Sequence, residues 1–356
     1  MKNDLNEILR HFAVEMETSP YGNGHINDTY LVESEPRTIL QRINTAIFKH
    51  PDQVMANIAA VTEHLRRKII AAGGDPTRET LTLVPTVDGL PYYTAPDGSA
   101  YRMYHFIKRA KSFEQAESPE MFAASAHAFG KFQRMLSDFP ADTLYEVIPN
   151  FHNTADRLRQ FREALANDKA GRAASVQPEI EFVLSHADCV TRVTDAIADG
   201  SVPLRVTHND TKLNNVMLDE VTHEGVCVID LDTVMPGSML YDFGDALRFG
   251  ASTGAEDETD LSGIEFDLTY FEAFTKAFLE EVGGDITPRE RELLSFSALL
   301  LTLECGIRFL TDYLNGDTYF RIHREHHNLD RCRTQFKLVA DMEKKLDQMD
   351  AIVAKY

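Results

Sequence analysis

The pattern of hydrophobic residues changes once along this chain, and that change constrains the fold more than any other feature. From Gly24 to Ile107 the sequence runs in short alternating or β-branched stretches, NDTYLV, RTILQRI, LTLVPT, PYYT and AYRMYHFI, parted by the turn pairs Asp88-Gly89 and Asp97-Gly98. Alternation punctuated by Asp-Gly predicts antiparallel strands. One helical stretch interrupts them over 51–72 and is closed by Gly73-Gly74. From Ser118 onward, apolar residues recur at three and four spacing over 121–136, 154–166, 178–198, 263–281, 288–314 and 334–354, which predicts helices. Ser118-Pro119 and Thr287-Pro288-Arg289-Glu290 supply start signals, the second with a capping-box glutamate. The reading is an α+β chain in two units, a small antiparallel-sheet domain at 1–107 and a larger, mainly helical domain at 108–356. A length of 356 residues exceeds the size at which a single core usually keeps growing, in keeping with that division.

Charge and cysteine usage narrow the setting. Thirty-six basic against fifty-six acidic side chains give 36 − 56 = −20, which argues against nucleic acid or an anionic membrane as partner. Cys189, Cys227, Cys305 and Cys332 are scattered without paired spacing, as expected of reduced thiols in the cytoplasm. The start, MKNDLNEILRHF, lacks the apolar run of a secretory signal, and the longest apolar stretch, Ala298 to Leu303, is too short to span a bilayer. A soluble cytoplasmic protein is expected.

Chemistry concentrates within the helical half, in one β-like island. Residues 207–215 read THNDTKLNN, the segment NVMLD follows on from Asn215, and after a turn at Glu224-Gly225 comes VCVIDLD, Val226 to Asp232. Strand alternation would put Val226, Val228, Asp230 and Asp232 on one side, so that two carboxylates emerge together where the strand ends. A carboxylate there must be hydrated, paired or metal-bound. Asn215 opens the antiparallel partner strand, and hairpin pairing would carry its amide oxygen toward Asp230. An Asp and an Asn oxygen with open positions suit a hard cation such as Mg²⁺. Asp210, on the loop just before, is free to accept a hydroxyl proton, and Lys212 adds a positive charge. A base, a cation site and a positive charge are the parts that phosphoryl transfer needs.

His208, Asp210 and Asn215 in H-x-D-x-x-x-x-N, followed by Ile229-Asp230-x-Asp232, resemble the aminoglycoside phosphotransferase and choline kinase superfamily, relatives of protein kinases. Four longer segments, YGNGHINDTYLV, LRVTHNDTKLNNVMLD, VIDLDTVMPGSMLYDFGDALRFGAST and LTLECGIRFLTDYLNGDTYF, narrow the resemblance to the bacterial N-acetylhexosamine 1-kinases. The resemblance implies a two-lobed protein-kinase-like fold that binds ATP and Mg²⁺ between its lobes. It further implies transfer to the anomeric hydroxyl of N-acetylglucosamine or N-acetylgalactosamine. Asp210 would be the base, with Asn215 and Asp230 on the metal. His208 would brace the catalytic loop and Asp242 would tie it to the following helix. Lys212, Arg308 and Tyr319 would contact the sugar, with Phe249 nearby. His105 to Ile107 would be the hinge that hydrogen-bonds adenine through its backbone, and a hairpin from Tyr21 to Tyr30 would cover the phosphates, its Gly22 and Gly24 allowing close approach.

One departure stands out. Kinases of this type carry a Lys or Arg in the strand Thr38 to Ile43 that reaches the phosphates, and here the matching position is Gln41. Arg42 points to the opposite side of a regular strand, and the following helix offers only Glu63 as an acidic partner. The Lys–Glu ion pair of protein kinases is therefore expected to be missing. Other residues have plainer readings: Asp210 and Asp230 as turn residues, Asp232 as support for the metal site or a solvated carboxylate, Glu304 as a structural i, i+4 partner for Arg308, and Tyr319 as a wet cap on the core. His323, His326 and His327 read as a solvated helix end rather than a metal cluster, and the helix from Phe336 onward as packing on the body. Against the sugar kinase stand another small-molecule kinase, acting on an aminoglycoside, choline or a hydroxy amino acid, and a non-catalytic nucleotide-binding module. A cationic acceptor would call for a carboxylate-rich pocket, whereas Lys212, Arg308 and Tyr319 suit a neutral polyol.

Overall fold

A computed structural model describes residues 4–22 and 26–356; Gly24 lies outside them. A short helix α1 (Leu5–Arg10), capped by Asp4, leads into the strands β1 (Thr18–Pro20), β2 (Asp28–Val32) and β3 (Thr38–Ile43). After β3 come α2 (Pro51–Ala71), the single turn α3 (Pro76–Glu79) and the strands β4 (Leu83–Val84), β5 (Tyr93–Thr94) and β6 (Ala100–His105). These strands form one antiparallel sheet in the order β1-β2-β3-β6-β4, with β5 also on β6. The strand and helix expectations for this half hold closely, because Asp-Gly turns and a proline at the first position of α2 set the boundaries in the sequence itself.

The second lobe begins with β7 (Ala110–Lys111) and continues through α4 (Pro119–Met135), α5 (Thr154–Asn167), α6 (Gln177–Ser185) and α7 (Arg192–Ala198). The helix expected over 178–198 is thus two helices. Its first part stops at His186, whose Nδ1 lies 2.7 Å from the Phe182 carbonyl, and turns over 186–191 redirect the chain. Next come β8 (Arg205–Thr207), β9 (Val216–Asp219), β10 (Gly225–Val228) and β11 (Met235–Gly237). Strand β9 lies between β7 and β10 in a three-stranded sheet, and β8 pairs with β11.

Four helices, α8 (Met239–Gly250), α9 (Leu268–Val282), α10 (Pro288–Asn315) and α11 (His327–Lys355), complete the lobe. The Thr287–Glu290 capping box opens α10 as expected. That helix is also longer and more apolar than its run at Ala298–Leu303 suggests. It is long and apolar enough to cross a membrane by length and composition, yet 89% of its apolar window is buried inside the fold, as the central helix of the lobe. Gly244 of α8 permits its closest approach, since a Cβ there would lie 2.4 Å from the Ser297 carbonyl oxygen. Helix α11 starts seven residues earlier than its periodicity indicates, and it takes in His327. That imidazole is buried with Nε2 2.9 Å from Asp257, so only His323 and His326 of the cluster are solvated.

One apolar core runs through the helices of the second lobe, and a second spans both lobes, joining Val54, Ile58 and Val61 of α2 to Phe129 and Phe132 of α4, Val216 and Leu218 of β9 and Cys227 of β10. Asn57 of α2, 2% exposed, reinforces that junction by donating to the Tyr145 and Val234 carbonyls at 2.8 and 2.9 Å. The loop carrying Asp230 and Asp232 is therefore anchored to the first lobe on one side and to the second on the other.

Candidate active site

The loop that links β8 to β9 is built from the inside outward. Asp242, in the first turn of α8, is buried and accepts the His208 N–H at 3.0 Å, the Asn209 N–H at 2.8 Å and the Gln133 amide at 2.6 Å. Burial pushes its carboxyl above the usual range, and these bonds oppose the rise. Asp245, one turn on, accepts the Thr211 N–H at 3.1 Å, and the Thr211 hydroxyl donates to the Asp242 carbonyl at 2.6 Å. Asn209 adopts a positive φ of 68° and fixes it by donating to the Thr233 and Thr207 carbonyls. His208 braces the loop as expected: its Nδ1 accepts the Asp210 N–H at 3.2 Å, which leaves Nε2–H to donate to the Ile229 carbonyl at 2.9 Å.

Asp210 is the product of this scaffold. Its Oδ1 lies 3.1 Å from Lys212 Nζ, and its Oδ2 accepts Asn215 Nδ2 at 3.0 Å. Burial works against its ionisation, but the Lys212 charge and the bonds from Lys212 and Asn215 prevail, holding the carboxyl below its ordinary range. Lys212 in turn is held well above its own range, chiefly by Asp210.

Asp230 and Asp232 do not share a strand face. Strand β10 ends at Val228, Asp230 takes a left-handed conformation (φ 58°, ψ 58°), and Leu231–Thr233 form a 3₁₀ turn. Two successive changes of backbone direction, rather than alternation, decide where each carboxylate goes. Asp232 is buried and bonded to Asn27 and Arg102, whereas Asp230, half-buried, has no hydrogen-bond or ion-pair partner among the described residues. Burial, with Asp232 and Asp210 adding to it, pushes the Asp230 carboxyl up to about 7. Asn215 commits its Nδ2 to Asp210, which turns Oδ1 away from that contact. A carboxylate without a donor and an amide oxygen outside the hydrogen bonds form a donor set of the kind a hard divalent cation takes, so these residues fit one.

Nucleotide-facing expectations can be placed as well. The hairpin of β1 and β2 exists, Gly22 has φ 73°, and Tyr21 packs edge-on against Phe106 with ring centroids 5.9 Å apart. In the hinge segment, the His105 and Phe106 N–H groups are already bonded to the Thr82 and Arg37 carbonyls, so adenine would have to use other groups, such as the Ile107 N–H. Gln41 donates to Thr29 Oγ1 at 3.1 Å and accepts Arg102 Nε at 3.0 Å; Glu63 is exposed and faces Arg67. Among the described residues no Lys–Glu pair joins β3 to α2.

The residues expected around the acceptor fall into three places. Lys212 stays with Asp210. Arg308 lies over the Phe151 and Phe320 rings at 5.4 and 5.5 Å, and Tyr319, 65% exposed and so not a core cap, packs edge-on against Phe320. Glu304 does not pair with Arg308. Its oxygens take His152 Nδ1 at 2.8 Å and the Thr154 hydroxyl at 2.6 Å, while His152 Nε2 reaches the Asn209 carbonyl at 3.2 Å. Phe249 instead lines a cavity of about 660 Å³ together with Leu213, Arg248, Glu256, Glu258 and Asp267. Reasoning from sequence missed His152, Arg157 and Arg102. Arg102 did leave a signal, as the one basic residue in the middle of the buried strand AYRMYH.

A small sheet lobe and a helical lobe meeting at an H-x-D-x-x-x-x-N loop and a second acidic loop define a protein-kinase-like phosphotransferase. A family model, described as the phosphotransferase enzyme family, matches residues 17–282, and the chain belongs to that family. Its fold is similar to an aminoglycoside phosphotransferase from Alicyclobacillus acidocaldarius (15% identity, 98% and 96% of the two chains, TM-score 0.65) and to a microcompartment-associated aminopropanol kinase (15%, 97% and 98%, TM-score 0.62). It also resembles a choline kinase from Cryptosporidium parvum (13%, 96% and 93%, TM-score 0.56).

Proposed function

We propose that this small-molecule phosphotransferase is an N-acetylhexosamine 1-kinase, which transfers the γ-phosphoryl group of ATP to the anomeric oxygen of N-acetylglucosamine or N-acetylgalactosamine in the cytoplasm. The observation that carries the sugar reading is the positive charge left open at Arg308 and Arg157. Around the cavity, Glu256 is paired with Arg248 at 2.8 Å, Glu258 accepts the Thr259 and Asp260 N–H groups, and Asp267 caps α9. Of these only Glu256 has a cationic partner, so the charge the acceptor meets is read from the arginines rather than from this cavity. Arg308, by contrast, has no carboxylate partner among the described residues. Arg157, pushed down by burial and by Arg308, keeps its Nε buried without a partner. Two arginines held near one another, neither in an ion pair among the described residues, disfavour a cationic acceptor and offer N–H donors to hydroxyl and carbonyl oxygens.

In this reading Asp210 accepts the proton of the attacking hydroxyl, and Lys212 steadies the carboxylate and the acceptor beside it. An anomeric hydroxyl is more acidic than other sugar hydroxyls, which suits a base whose own pKa is held low. Lys212, Arg308 and Tyr319, with Phe249 more distant, contact the sugar. Gly22 shapes the cover over the phosphates, Gln41 sits beneath them, and His105 and Ile107 hold the adenine. Asn215 and Asp230 would hold Mg²⁺, which when bound supplies neutralisation of the phosphate charge. Transfer is direct and in line, since one loop presents the base and a metal ligand together.

The test is ADP release by the purified protein with Mg²⁺ and ATP over a panel of N-acetylhexosamines, aminoglycosides, choline and hydroxy amino acids. Turnover confined to the N-acetylhexosamines is expected. Turnover with a cationic acceptor alone would overturn the sugar reading and leave the phosphotransferase standing.

A further inference from the structure

The cation expected on β3 is missing, yet a buried positive charge stands beside its place. Gln41 and Arg102 face each other directly in the β3–β6 register, so their side chains share one face of the sheet. Arg102 is 1% exposed. Its Nε donates to Gln41 Oε1 at 3.0 Å and its Nη1 is ion-paired with Asp232; Nη2 takes part in neither contact. Asp232 accepts a second bond from Asn27 Nδ2 at 2.7 Å, and Asn27 Oδ1 accepts the Asn44 N–H at 3.0 Å. Gln41 is itself steadied by its bond to Thr29. Arg102 of β6 and Asn27 of the turn before β2 thus converge on one carboxylate of the second lobe, two residues beyond Asp230, while Gln41 of β3 and Thr29 of β2 hold Arg102 in place.

A guanidinium is costly to bury unless it is paired and hydrogen-bonded, and this one is both. A point charge on a flexible stem would need no bracket, whereas the planar fork of Arg gains from one, which gives Gln41 a use. Arg42, next in sequence, cannot take the part, because it points to the other face toward Asp28 and Ser99.

We propose that Arg102 has taken over, from the neighbouring strand, the duty of the cation absent at Gln41. It acts as a positioning residue that neutralises Asp232, ties the Asp230 loop to the first lobe and keeps one buried positive charge behind the nucleotide phosphates. The inference rests on the nucleotide-binding phosphotransferase reading and not on which acceptor is used.

Calorimetric titration of the full chain with Mg²⁺·ATP and, separately, with adenosine tests it without any acceptor. In Arg102→Gln, ATP affinity is expected to fall by roughly tenfold to a hundredfold, the range of a charge-assisted bond, while adenosine affinity stays within about twofold. The double variant Gln41→Lys/Arg102→Gln returns a cation to the register pair and should regain most of the ATP affinity. Equal loss of ATP and adenosine, no loss of either, or a folded double variant that regains nothing would each overturn the proposal. If Arg102→Gln fails to fold, the double variant alone decides; if neither folds, the pair belongs to the core and the proposal falls. A wild-type chain that binds neither ligand would instead remove the nucleotide reading on which it rests.

Discussion

At the scale of single residues the site divides into groups held in place and groups left open. Asp210 is held by His208, Asn215 and Lys212, and a base so fixed contributes typically 10²–10⁴ in rate. Asp210→Asn should therefore keep the fold and ATP binding and lose turnover by about a thousandfold; a rate near that of the wild type in steady-state assays would remove Asp210 from the base role. Arg308 is left open, lying over two rings with no carboxylate partner among the described residues, so Arg308→Ala should raise the acceptor KM about tenfold while the ATP KM changes less than twofold. Equal effects on both constants, or an unfolded protein, would make Arg308 a packing residue. The H-x-D-x-x-x-x-N spacing was legible because it lies within one loop. The Arg102–Asp232 pair was not, because 130 residues separate its members and only the fold brings them together.

At the scale of elements, local signals and long-range ones fared differently. Ser118-Pro119 and the Thr287 capping box announced α4 and α10 in the sequence because capping is local chemistry. Periodicity did not single out helix α8, because all of it from Met239 to Arg248 is buried and its polar stripe of Asp242, Asp245 and Arg248 faces inward, the two carboxylates bonded to the catalytic loop rather than to solvent. The placement of Asp230 failed for another reason: a left-handed residue ends the alternation that the β-branched run implied. Two predictions belong here. Gly244→Ala would press a Cβ onto the α10 backbone and should lower stability by about 1–3 kcal/mol in urea denaturation, against no change if α8 can shift freely. At the end of β9, the Thr222 and Val221 N–H groups and Arg78 hold the Asp219 carboxyl down to about 2. A depressed folded-state pKa contributes stability that is present above about pH 4, the unfolded value, and is lost as pH falls toward 2. Acid denaturation of Asp219→Asn should accordingly show a shallower stability loss between pH 4 and 2 than the wild type; identical slopes would contradict that assignment.

At the scale of the whole molecule, the two lobes share a core and share the acidic loop, so nucleotide and acceptor chemistry meet on elements fixed from both sides. The change of periodicity near residue 107 made the two-lobed architecture legible, because strands and helices bury their faces at different intervals. The acceptor surroundings were legible only in part. Residues named from one resemblance occupy three separate places, and around the Phe249 cavity Glu256 is paired with Arg248 whereas Asp267 caps α9 through backbone N–H groups. The central claim is that Asp210 directs the phosphoryl group to the anomeric oxygen of a neutral amino sugar. Phosphorus NMR of the product formed from ATP, Mg²⁺ and N-acetylglucosamine or N-acetylgalactosamine is the measurement to make: an acid-labile phosphate coupled to the C1 proton is expected, and a phosphate on any other oxygen, or no phosphorylated sugar at all, would overturn it.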